Sequence, residues 1–142
     1  MKVSIIGGGA VGRIVERICQ LKGWDHALFT LPTSPGGRKQ ILLNTASMQF
    51  LEELGFNIPY QRAYSSLKII QHKTFHHVHI DAKNYPNDYL CYSIDASALQ
   101  DALEQHSSPT YATITGGEVS PDGFTLATSL GNFDASQYND TQ

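Results

Sequence analysis

Apolar positions recur along this chain with two different periods, and the changes of period mark its elements. Val3-Ser4-Ile5-Ile6 is a short apolar run, which predicts a buried strand. From Ala10 to Lys22, apolar residues fall at Val11, Ile14, Val15, Ile18 and Leu21, the spacing of a helix with one face turned to a core. Gly23 stands where a left-handed residue ends such a helix, and Trp24 beside it reads as a packing anchor. Ala27 to Leu31 is a second apolar strand. Strand, helix and strand fit within about 30 residues, the length of one βαβ unit.

Thr33 to Gly37 contains Pro35, Gly36 and Gly37 and predicts a loop. Thr45 to Leu54 predicts a helix, with Met48, Leu51 and Leu54 on one face and Gly55 as its stop. The pattern then becomes β-rich. Leu67 to Gln71 and Phe75 to Asp81 predict a strand pair, and Tyr89 to Ile94 a further strand. Ser97 is placed to cap a helix running to about Gln105, with Leu99 and Leu103 inward. Strands are expected at Tyr111 to Thr115, Gly117 to Ser120 and Phe124 to Thr128, with Pro121-Asp122-Gly123 as a turn. From Gly131 the sequence is polar and without period. Residues 1–130 are therefore expected to form one domain and 131–142 a polar tail.

Composition narrows the class. With 41% hydrophobic and 16% charged residues, the 142-residue chain reads as globular rather than disordered. A net charge of −3 and the lack of a basic run argue against a nucleic-acid partner. Cys19 and Cys91, far apart, form no disulfide framework, which fits a reducing cytoplasm. No apolar run approaches the length of a membrane span, and the N-terminal apolar stretch is too short for a signal peptide.

Chemistry enters at Gly7-Gly8-Gly9-Ala10-Val11-Gly12, a G-x-G-x-x-G sequence between the first strand and the first helix. In a dinucleotide-binding unit the first glycine makes a tight turn and the second admits a pyrophosphate close to the backbone. The third lets helix and strand pack closely. Unpaired N–H groups and the positive end of the helix dipole favour phosphate at that point.

Four segments, in this order, resemble the N-terminal third of FAD-dependent aromatic-ring monooxygenases of the para-hydroxybenzoate hydroxylase and ubiquinone-biosynthesis hydroxylase type. They are Val3 to Gly12, Arg38 to Phe56 with its Leu51-Glu52-Glu53-Leu54-Gly55 helix end, Ser93 to Leu103, and Gly116-Gly117-Glu118-Val119. The resemblance implies an α/β fold: a partial Rossmann-like, FAD-binding βαβ layer with an antiparallel β-rich portion. It implies FAD held by Gly7, Gly9, Ala10, Val11 and Gly12, with Arg38 near its phosphates and ribityl chain and Gln100 as a further contact. In a complete enzyme, NAD(P)H would reduce the flavin and a small organic substrate would be hydroxylated.

The sequence also departs from that family. Thr30 stands near the place of a glutamate that binds the adenosine ribose. Glu16 replaces a small residue where the helix meets the sheet, and a buried unpaired carboxylate is costly there, so a rotated helix or a wet site is expected. Ala96 replaces a common arginine. The family's second phosphate motif, ending in aspartate-glycine, and its later glycine-aspartate motif do not occur in this sequence. The strand that precedes the second motif would lie beside Val3 to Ile6. That edge is accordingly expected to be covered by a complementing chain, by a second copy, or by rebuilt topology. A second reading follows: a non-catalytic remnant acting as a binding or protein-interaction module.

Other residues carry less. His72, His76, His77 and His79 cluster, and His77 and His79 share a strand face, but a third ligand for a metal is missing, so no metal is expected. Tyr85, Tyr89 and Tyr92 flank strands and read as core, or as the lining of a pocket. No catalytic base is identified.

Overall fold

The structure, a computed structural model, describes the backbone of residues 1–32 and 39–136 and the side chains of 1–32 and 39–135. In chain order the elements are β1 (Lys2–Ile6), α1 (Ala10–Lys22), β2 (Asp25–Thr30), β3 (Gln40–Asn44), α2 (Thr45–Glu53), β4 (Arg62–Tyr64), β5 (Ser66–Ile70), β6 (His77–Asp81), β7 (Cys91–Asp95), α3 (Ala96–Glu104), β8 (Thr110–Tyr111), β9 (Ile114–Ser120), β10 (Gly123–Thr128) and β11 (Gly131–Ser136). A 3₁₀ turn occupies Ala82–Asn84. The chain divides into two compact units, Met1–Pro35 with Leu103–Gln142, and Gly36–Ala102.

The first unit is layered around β2. A parallel sheet has the order β1-β2-β8, with Ile5 opposite Leu28 and Thr30 opposite Tyr111. Successive strand residues point to opposite faces. Leu28 therefore joins Ile5 and Cys19 on the α1 side, with Val3, Val15 and Trp24 packed around them. Phe29 joins Ala112 and Leu126 on the other side, with Ala27, Ile114 and Phe133. Burying Leu28 and Phe29 completely contributes about 1.5–3 kcal/mol each relative to exposure. The second layer is an antiparallel meander, β9-β10-β11, in which Phe133 meets Phe29 edge-on at 4.8 Å. Gly131–Ser136 is thus a strand and not an aperiodic tail. Its backbone pairs along the whole of β10, and the apolar anchor Phe133 fixes its face, a pairing that side-chain periodicity does not register.

The limits of α1 follow its sequence, and its C-terminus closes on left-handed Gly23 (φ 67°), with Gly23 and Trp24 N–H groups donating to the Gln20 and Cys19 carbonyls. The buried face differs from the expected one. Arg13, Glu16 and Cys19 are buried, whereas Val11 is 75% and Leu21 55% exposed. Helix periodicity finds the apolar stripe but cannot tell that polar side chains with internal partners will occupy the inward face.

In the second unit, β3 and β4 flank β7 in an antiparallel sheet, and β5 pairs with β6 in a hairpin. Short β3 and β4 carry too little pattern to be read from sequence; pairing with β7 defines them. Helix α2 starts where Asn44 Oδ1 accepts the Ser47 N–H at 2.8 Å, a cap worth about 1 kcal/mol. Its buried Met48 and Leu51 keep the inward face expected of it.

Cys19 and Cys91 are free thiols and both are buried. Burial pushes both pKa values up; for Cys19 the nearby Glu16 charge adds to the rise and a backbone hydrogen bond opposes it. The native protein holds these protons at pH values where an unfolded thiol, near about 8.5, has begun to lose them. Stability contributed by these groups is therefore complete below that pH and declines as pH rises toward the folded values. At pH 8, Ellman's reagent is expected to label both thiols promptly in guanidinium and neither promptly in native buffer. Fast native labelling of either one would contradict this burial.

Candidate functional site

The turn between β1 and α1 is built from backbone. The Gly7 N–H donates to the Phe29 carbonyl at 2.8 Å, tying the end of β1 to β2, and Gly7 itself takes φ +109°. A Cβ at Gly12 would fall on the Gly7 carbonyl oxygen, so the first turn of α1 crosses the strand end at backbone contact. Gly8 is buried against Thr30, and a Cβ there would lie 2.5 Å from Thr30 Oγ1. Gly9 is the N-cap, with extended backbone and no capping side chain, and the space beside its α-carbon is open to 4 Å. Ala10 and Val11 follow, exposed, and the first turn of α1 holds no acidic residue. Helix N-terminal N–H groups lack intrahelical acceptors, and the dipole there is positive, so an anion is the chemically matched occupant of such a turn.

Polar side chains on the inward face of α1 reach Glu104, the last residue of α3, and the segment that follows it. Arg13 Nε donates to the Gly8 carbonyl at 2.9 Å, and Arg13 Nη2 lies 3.4 Å from Glu104 Oε1. Glu16, 1% exposed, accepts from the Ser107 hydroxyl and, at 3.0 Å, from the Ser108 N–H. Gln20 Nε2 donates to the His106 carbonyl at 2.6 Å. The helix is not rotated to expose Glu16: the carboxylate stays buried, and hydrogen bonds from the facing segment satisfy it. In the sequence, the sign of this network is a set of polar residues spaced three or four apart on a helix that must also bury a face. Arg13, next to the last glycine, was not among the residues the motif singled out.

Gly7, Gly9, Ala10, Val11, Gly12 and Thr30 come together in the first unit. Thr30 Oγ1 donates to the Leu31 carbonyl at 3.2 Å. Gln100 lies on α3 within the second unit, and Arg38 lies outside the described residues. In the second unit Tyr92 touches Tyr60 and Tyr89 with centroids at 4.9 and 6.0 Å. Burial pushes the Tyr92 phenol pKa up, and the charges of Tyr60, Glu52, Tyr89 and Asp88 add to the rise. Tyr85 and Tyr89 line an open cleft of about 220 Å³ with Asn44, Ile80 and Leu90. His77 and His79 share a face of β6, opposite Ile70 and Lys68, and are exposed. Among the described residues no group of three or more His, Cys, Asp or Glu side chains is arranged to hold a metal ion.

No known sequence family matches the chain, and no curated protein matches it in sequence. Solved structures do match it in shape. The chain superposes on 2,6-dihydroxypyridine-3-hydroxylase from Arthrobacter nicotinovorans with a TM-score of 0.69 at 14% identity, covering 95% of this chain and 35% of that one. It superposes on Klebsiella pneumoniae HpxO, in complex with FAD and uric acid, with a TM-score of 0.67 at 14% identity, covering 96% and 37%. The figures for 2-methyl-3-hydroxypyridine-5-carboxylic acid oxygenase are 0.67 and 19%, covering 94% and 37%. At these identities the likeness establishes the fold: a mixed α/β chain with several sheets, similar in structure to these oxygenases and to FAD-bound HpxO. The chain spans little more than a third of the length of each of these structures. No helix among the described residues is long and apolar enough to cross a membrane.

Proposed function

We propose that the Gly7–Gly12 turn binds the pyrophosphate of FAD and that the chain is the FAD-binding portion of a flavin-dependent monooxygenase-like protein. The observation that carries this reading is the turn itself: a strand-to-helix junction closed at Gly12, with open space beside Gly9 and uncapped helix N–H groups. Its setting in a fold shared with FAD-bound HpxO adds support.

The residues present fit a pyrophosphate. Gly9, Ala10 and Val11 would face it, with Gly7 and Gly12 holding the turn in shape. Thr30, beside Gly8 at the end of β2, would stand near the adenosine ribose as a neutral hydroxyl partner. Arg38 would supply a planar, permanently charged guanidinium to the phosphates, and Gln100 a further polar contact. FAD, when bound, supplies the redox chemistry with oxygen that hydroxylates a small organic substrate, with NAD(P)H as reductant. The chain's own part is to bind and orient the nucleotide.

Strand β1 is an end strand of its three-stranded sheet, with Ile6 60% exposed. A partially apolar edge of this kind is a template for another strand. We assign its covering to a complementing chain or a second copy, with assembly in the cytoplasm, where Cys19 and Cys91 stay reduced.

Titrating the purified protein with FAD is expected to quench flavin fluorescence and raise the melting temperature. Saturation at a hundred times the dissociation constant would add about 2.7 kcal/mol of stability. ADP should compete, because it carries the same pyrophosphate. No thermal shift and no quenching with FAD, together with no binding of ADP, would overturn the reading.

A further inference from the structure

We infer that Arg13 is the positioning residue of the nucleotide turn: it aims two consecutive backbone N–H groups, those of Gly9 and Ala10, at the anion. The inference rests on the reading of the Gly7–Gly12 turn as a pyrophosphate site.

Arg13 donates twice to the turn that precedes it. Its side-chain Nε–H bonds the Gly8 carbonyl at 2.9 Å, and its backbone N–H bonds the Gly9 carbonyl at 3.1 Å. In a planar trans peptide the carbonyl and the following N–H point in opposite directions. Holding the Gly8 carbonyl toward Arg13 therefore turns the Gly9 N–H away from the helix. Holding the Gly9 carbonyl along the helix turns the Ala10 N–H outward likewise. Every α-helix supplies the second of these bonds; the first needs a donor side chain, and in this chain Arg13 provides it.

The need for such a pin follows from the sequence. Gly7, Gly8 and Gly9 are three consecutive residues with the widest backbone freedom, and an unfixed peptide between Gly8 and Gly9 could flip at little cost. The N-cap has no side chain with which to fix it. Arg13 is itself held. It is 6% exposed, and a second nitrogen, Nη2, lies 3.4 Å from Glu104 at the end of α3, just before the residues that Glu16 and Gln20 bind. The guanidinium can do both at once because its nitrogens form a rigid planar fork, which a lysine ammonium does not offer.

Amide ¹⁵N relaxation on the ligand-free protein, followed by calorimetric titration with ADP, tests this. In the wild type the Gly9 and Ala10 amides should be as rigid as the body of α1, with order parameters near about 0.85. In Arg13→Met they should fall below about 0.6 while α1 beyond its second turn is unchanged. ADP should bind about tenfold more weakly, the scale of one buried hydrogen bond. Arg13→Lys keeps the charge for Glu104 but not the fork. It serves as the second variant should the methionine variant fail to fold, and the same loss of order is expected. A folded variant of either kind whose turn stays as rigid as the wild type, and which binds ADP as tightly, overturns the assignment. A wild type that binds no ADP overturns the nucleotide reading instead, and the relaxation result still decides whether Arg13 orders the turn.

Discussion

Gly12→Ala is expected to destabilise the protein by about 2–3 kcal/mol, at the upper end of what overpacking a fitted contact costs. The added methyl would occupy the position of the Gly7 carbonyl oxygen, which is backbone and cannot swing aside. Gly7 cannot yield readily either. Its N–H is bonded to Phe29 at 2.8 Å, and its φ of +109° is already a conformation that favours glycine. The helix would have to lift from the strand, which would also loosen Leu28, whose Cδ1 lies 3.5 Å from the same point. Gly9→Ala is the matched control. Its backbone is at φ −73°, ψ −174°, and a Cβ there meets nothing within 4 Å, so its stability should stay within about 0.5 kcal/mol of the wild type. The same methyl would stand where FAD is proposed to lie. The two substitutions should therefore separate: Gly12→Ala loses fold and ligand, and Gly9→Ala loses ligand alone. Urea unfolding and FAD titration of both proteins provide the check. A Gly12→Ala protein as stable as Gly9→Ala would show that the close approach of turn and helix is not what holds them.

Glu16→Ala should cost about 2–4 kcal/mol, because hydrogen bonds to a charged group contribute roughly 1.5–3 kcal/mol and the truncation also leaves a void. Glu16 is among the most buried large side chains, and its two oxygens divide between Ser107 and Ser108. Removing it takes away their acceptor and loosens the segment after α3, which the Gln20–His106 bond still ties to the helix. Glu16→Gln keeps the shape and one acceptor, so it should cost less than half as much. Denaturant unfolding of the three proteins gives the sizes, and hydrogen exchange at the Ser108 amide gives the place. An alanine variant within about 0.5 kcal/mol of the wild type, with Ser108 still protected, would mean the carboxylate contributes nothing net.

The two substitutions bear on different kinds of legibility. The glycine turn was readable because its demand is steric and local: a strand, a tight turn and a helix in sequence require small residues at fixed offsets. The limits of α1 were readable for the same reason, from Gly9 at one end and Gly23 at the other. Which face of α1 would be buried was not. Val11 and Leu21 carry the helical period yet stand exposed, while Arg13 and Glu16 are buried. Their partners, Gly8, Glu104, Ser107 and Ser108, include residues more than ninety positions away, and no periodicity encodes a bond of that length. β11 was hidden similarly, since a strand paired along one neighbour and anchored by Phe133 needs no alternating pattern.

The sequence by itself determined the strand–helix–strand order at the N-terminus, the helix ends and the tight turn, because near-neighbour sterics and backbone freedom decide those. The tertiary structure alone decided how that turn is held. The Gly8 carbonyl is fixed by a side chain five residues on, and that side chain is placed by a carboxylate supplied by the last residue of α3. The physical reason is that a buried charge survives only with partners, and partners are found in space rather than along the chain.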